Sequence, residues 1–109
     1  MTTLPMSRAA SSVLRTLLDR AGSDRNRILL TQAHSRDWHS LTFSGERHQL
    51  RLRVTGAGAQ SVIARITEGL DDVEFDIPGQ FVADINAGPP FADDDAAMIV
   101  SIEALTIRE

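Results

Sequence analysis

Apolar and polar residues alternate from Trp38 to Val54 on both sides of Gly45-Glu46, the period of a strand with one face in a core. A two-residue turn with glycine first suits a type II′ hairpin. That turn sets Phe43 opposite His48, Leu41 opposite Leu50 and His39 opposite Leu52, all on one face. Trp38 with Arg53, Ser40 with Arg51 and Thr42 with Gln49 share the other. Upstream, Ala10, Val13, Leu14, Leu17, Leu18 and Ala21 recur at helical spacing and predict a helix from Ser7 to Arg20. Ser7 is its N-cap and Gly22 its stop. Ile28 to Ala33 is a short apolar run compatible with a strand, and His34 to Asp37 reads as a loop.

A second helix is predicted over Ala59 to Glu68, with Val62, Ile63, Ile66 and Leu70 as its stripe and Gly69 at its end. A second hairpin follows. A three-residue loop after Ile77 pairs Ile77 with Phe81 and Phe75 with Ala83, which keeps the apolar sets on one face. The last strand runs from Ala97 to Ile107, with Met98, Val100, Ile102 and Ala104 on one side. Its other side is mixed, which marks a strand central in its sheet or part of an interface. The prediction is a single α+β domain over residues 1–109. It is a two-layer sandwich with two helices on one face of a mainly antiparallel sheet, in the order α-β-β-α-β-β-β, with 28–33 as a possible extra strand. Leu41, Phe43, Leu50, Leu52, Phe81, Ile85, Val100 and Ile102 are its expected core, under Val13, Leu14, Leu17, Ile63 and Ile66.

Composition narrows the function. Cysteine is absent, which removes disulfides, thiol chemistry and cysteine-based metal sites. All 11 basic residues are arginine, so a lysine Schiff base or general base is excluded. The net charge of -4 argues against a dedicated nucleic-acid binder. No apolar run reaches the ~20 residues of a membrane span. Met1 to Arg8 lacks the features of a signal peptide, so a cytoplasmic location is expected.

The candidate chemistry is sparse. His39 and His48 share a face but stand roughly 13 Å apart along the ladder at ~3.4 Å per residue, too far for one metal ion, and His34 lies in a separate loop. No metal and no cofactor are expected. The Gly56-Ala57-Gly58 turn lacks the third small residue of a dinucleotide fingerprint, since Ser61 stands there, and a P-loop lysine is missing. Asp93-Asp94-Asp95 lacks the alternating ligand pattern of an EF-hand. Ser35, Asp37, His39 and Ser40 are close in sequence, but strand neighbours point apart, so no catalytic group is assigned. Arg47, Arg51 and Arg53 with Trp38 are expected on the outer face, in ion pairs with Asp84 and Glu103 and with Arg53 against the Trp38 ring.

Three stretches carry a resemblance: Phe43-Ser44-Gly45-Glu46-Arg47-His48, Pro78-Gly79-Gln80-Phe81-Val82-Ala83-Asp84-Ile85 and Ile102-Glu103-Ala104-Leu105-Thr106. With their spacing they resemble a group of small uncharacterised bacterial single-domain proteins. The resemblance implies a bacterial single-domain protein and brings no site. The functional expectation is a small cytoplasmic, non-catalytic interaction module that forms a homodimer or binds another protein, with no nucleic-acid or membrane partner. Its candidate interface is Trp38, Arg51, Arg53, Val82, Asp84, Ile99, Glu103, Leu105 and Ile107. The alternative is a small-ligand binder or enzyme with a site at the sheet edge near His34, Asp37 and the Gly56–Gly58 turn.

Overall fold

The computed structural model describes residues 5–109. Helix α1 spans Arg8–Ala21 and α2 spans Ala59–Thr67. The Ser7 hydroxyl accepts from the Ala10 N–H at 3.1 Å, which satisfies one of the free donors at the start of α1. Gly22 closes the helix, its N–H donating to the Asp19 carbonyl. Each helix presents one buried stripe: Ala9, Val13, Leu17 and Ala21 from α1, and Ala59, Val62, Ile63 and Ile66 from α2. Arginines tie the two helix ends together. Arg20 of α1 donates to the Ile66 carbonyl at 2.9 Å and to the Glu68 carbonyl, while Arg65 of α2 reaches the Ala21 carbonyl at 3.4 Å. These carbonyls lie where a helix has no partner of its own and where a cation is favoured.

Among the described residues the sheet has five strands: β1 (Ile28–His39), β2 (Ser44–Val54), β3 (Gln80–Ala87), β4 (Phe91–Ala92) and β5 (Met98–Arg108). All pairings are antiparallel, in the order β1-β2-β5-β3, with β4 also on β5. The architecture is the expected two-layer α+β sandwich. Leu50, Leu52, Val54, Val100 and Ile102 form the floor of the core beneath the helical stripes. Burying each such side chain contributes about 1.5–3 kcal/mol. The last strand is central, as one reading of its two-sided apolar pattern required.

The first hairpin differs from the predicted one. Its turn is Ser40–Phe43, where the Ser40 N–H donates to the Phe43 carbonyl at 2.8 Å and the Phe43 N–H donates to the Ser40 hydroxyl at 3.1 Å. His39 therefore faces Ser44, Trp38 faces Gly45 and Ala33 faces Leu50. The predicted strand 28–33 and loop 34–37 are one strand, with Thr31 as an extra, bulged residue. Leu41 and Phe43 are not core: they are 102% and 56% exposed at the hairpin tip. Gly45 is a strand residue. A Cβ there would stand 1.9 Å from the Thr106 carbonyl oxygen, so the glycine marks a close backbone approach and not a turn. The inner parity of His48, Leu50 and Leu52 holds, because moving the turn leaves the alternation of β2 intact.

The predicted second hairpin is also changed. Val73, Phe75 and Ile77 are alternately turned into the core, but they form no ladder with β3. The chain turns at Pro78-Gly79, with the Gln80 N–H donating to the Ile77 carbonyl at 3.1 Å. β3 pairs with β5 alone. It carries a bulge at Ala83, between Val82↔Thr106 and Asp84↔Leu105. That extra residue exchanges the faces: Phe81 points outward, 43% exposed, and Val82 joins the inner face against the core.

Candidate functional site

The two helices cover the inner face of the sheet, and the described residues place no helix over the outer one. Register fixes what that face displays. At the hairpin end, Trp38, Gly45, Ile107 and Phe81 lie side by side across β1, β2, β5 and β3. The next row is Arg36, Arg47, Leu105 and Asp84, followed by His34, Gln49, Glu103 and Asn86. Leu29, Arg53, Ile99 and Phe91 form the row at the opposite end. Large apolar side chains thus hold the corners and polar ones the middle. Of the nine residues assigned to the interface from sequence, eight lie on this side by register, and one of these, Ile107, is itself buried, 4% exposed. Val82 does not, because the Ala83 bulge turns it inward.

The charges pair differently from expectation. Arg53 lies in the row farthest from Trp38, so the two do not meet. It donates to Asp93 at 2.8 Å and to the Asp94 carbonyl at 3.1 Å, and it holds the Asp93 carboxyl below the usual carboxylate range. This contact gives the Asp93–Asp95 run a structural role at the corner of the sheet. The Arg51 guanidinium lies 5.9 Å from the centroid of the Phe91 ring, within cation–π range. Glu103 accepts from Gln49 at 3.3 Å. Arg36 and Arg47 face each other directly across β1 and β2. Among the described residues, neither they nor Arg51 nor Asp84 has an ion-pair partner.

The inner face holds one buried polar group of note. His48 is fully buried, with Nδ1 2.6 Å from the Ser35 hydroxyl and Nε2 2.9 Å from the Thr106 hydroxyl. A hydroxyl can donate or accept, so both ring nitrogens are satisfied in either neutral tautomer. Burial pushes its pKa below the ordinary 6.5, with the nearby Glu46 acting the other way. Among the described residues no carboxylate is hydrogen-bonded to the ring, so the group has the form of a satisfied core histidine.

The other sequence candidates do not converge. His34 lies on the outer face and Asp37 on the inner one, opposite Glu46. The Gly56–Gly58 turn follows the other end of the strand pair, where Ile28 faces Val54. Arg27 fills that turn, donating to the Thr55 carbonyl at 2.8 Å and to the Ala57 carbonyl. Gly56, at φ +88°, leaves it room: a Cβ would meet the guanidinium at 3.2 Å. His39, opposite Ser44, stays four ladder positions from His48, and among the described residues no three His, Asp or Glu side chains converge as metal ligands. One cleft among the described residues, about 390 Å³, runs between the start of α1 and Pro78–Gln80 and contains none of these candidates. A second, about 370 Å³, lies beside His34, Ser35 and Glu46. No helix among the described residues is long and apolar enough to cross a membrane. Comparison of the chain with protein-family models, curated proteins and solved structures finds no match in any of the three.

Proposed function

We propose that this protein is a small, non-catalytic interaction module of the cytoplasm that forms a homodimer through the outer face of its sheet. The observation that carries the reading is the uncovered face itself, with Leu29, Phe91 and Phe81 58%, 46% and 43% exposed at its corners. Size supports it. Four strands of up to twelve residues at ~4.8 Å spacing and ~3.4 Å rise give a face of about 700 Å², close to the ~800 Å² per partner of a standard stable interface. The net charge of -4 favours a protein over a nucleic-acid partner.

Light scattering on the purified chain at tens of micromolar tests the proposal, with a dimer as the expected mass. Leu105→Arg, on the central strand β5 and facing outward, should dissociate it. Arg25→Glu, in the connection after α1, should leave it intact. A monomeric wild-type chain would end the reading, and a dimer indifferent to Leu105→Arg would place the contact on another surface.

A further inference from the structure

We infer that the two copies stack face to face about a two-fold axis that runs parallel to the strands, between β2 and β5. This rests on the self-association proposed above and specifies its geometry. The starting observation is the Arg36–Arg47 pair. Like charges directly opposite on neighbouring strands are destabilising, and these two have no carboxylate partner among the described residues. The same face carries Asp84 and Glu103, and Asp84 has no cation partner there either. The outer face is therefore divided along its length. The β1–β2 half is basic, with Arg36, Arg47 and Arg51, and the β5–β3 half is acidic.

A closed pair of identical faces has few ways to meet. An axis running across the strands lays β1 and β2 on the partner's β1 and β2, arginine on arginine. An axis along the strands lays β1 and β2 on the partner's β3 and β5. Arg36 then stands over the partner's Asp84, Gln49 over the partner's Glu103, and Arg47 within reach of both. The apolar corners agree with this choice. Trp38 falls on the partner's Phe81 and Leu29 on the partner's Phe91. Gly45 and Ile107, between Trp38 and Phe81 in their row, are buried within the monomer and add no contact of their own. The two sheets would pack in the aligned manner of a β-sandwich, about 10 Å apart.

Charge reversal in trans tests the axis, because each Arg36–Asp84 contact occurs twice across the two-fold. Both residues are exposed in the monomer, and far-UV circular dichroism confirms that each variant is folded. Arg36→Glu alone and Asp84→Arg alone should each weaken the homodimer by about 30-fold or more, since each creates two like-charge contacts. An equimolar mixture of the two variants restores both contacts and should recover a heterodimer of near wild-type affinity by sedimentation velocity. Single variants that remain as dimeric as wild type, or a mixture that stays monomeric, would overturn the axis. If Leu105→Arg still dissociates the wild-type dimer in that case, the outer-face proposal survives; a monomeric wild type would remove both.

Discussion

The most exacting expectation concerns Gly45→Ala. The added Cβ would stand 1.9 Å from the Thr106 carbonyl oxygen and 3.0 Å from the Ile107 Cα, against about 3.5 Å for an unstrained contact. The obstacle is backbone, so no rotamer change relieves it. β5 is also held by strands on both sides, so it cannot retreat alone. Overpacking of this kind costs about 1–3 kcal/mol. Parting β2 from β5 locally sacrifices about two ladder hydrogen bonds at ~1 kcal/mol each. Stiffening of the unfolded chain offsets about 0.4–1 kcal/mol. The net loss should be about 3 kcal/mol, a large share of the ~5–15 kcal/mol total of a small domain. Urea denaturation followed by circular dichroism measures it. Emission from Trp38, which faces residue 45 across the β1–β2 ladder, reports the local effect. A loss below about 0.5 kcal/mol, the size of an ordinary surface substitution, would refute the close approach of β2 and β5 at this point.

Two further expectations follow from the inner face. The pKa of His48 is lowered on folding by burial, so the unfolded chain binds the extra proton first; stability is complete above the unfolded value of 6.5 and is lost as pH falls from there through the folded pKa. The urea midpoint should therefore drop between about pH 7.5 and about pH 5, and His48→Gln should flatten that part of the profile; an unchanged slope in the variant would assign the effect elsewhere. Leu50→Ala, at a site 2% exposed, should cost about 2–5 kcal/mol, whereas Leu41→Ala at the hairpin tip should stay within about 0.5 kcal/mol; equal losses in the two would contradict the observed register.

The helices were legible because their signals are local. Ser7, Gly22 and an unbroken stripe lie within one stretch of chain, and the observed bounds of α1 differ from the predicted ones by one residue at each end. Fold class and the inner parity of β2 and β5 were legible for a similar reason, since strand alternation does not depend on the partner. Register was not. Gly45 carried the signal of a turn, but what requires glycine there is the backbone of a strand about sixty residues away, which no local pattern reveals. The bulges at Thr31 and Ala83 broke the alternation of β1 and β3. One made a twelve-residue strand read as a strand and a loop; the other exchanged Phe81 and Val82. The Arg36–Arg47 juxtaposition was hidden for the same reason, because it exists only in the observed register. Leu29 and Phe91, which complete the corners of the outer face, join it only through the pairings of β1 and β4.

The position of those two bulges has a consequence for how the edges of the sheet meet other chains. Among the described residues β1 is one edge of the sheet and β3, with the short β4, the other, and β1 and β3 each carry one irregular residue, Thr31 or Ala83. An unbroken edge is a template onto which another chain can add its own strand, and such addition has no natural end; it leads to fibres and swapped domains. A bulge disrupts the even spacing of donors and acceptors that the incoming strand would need. A molecule with an apolar-cornered face and two straight edges would be free to polymerise. With a bulge in each of these strands, growth by strand addition is discouraged at those points.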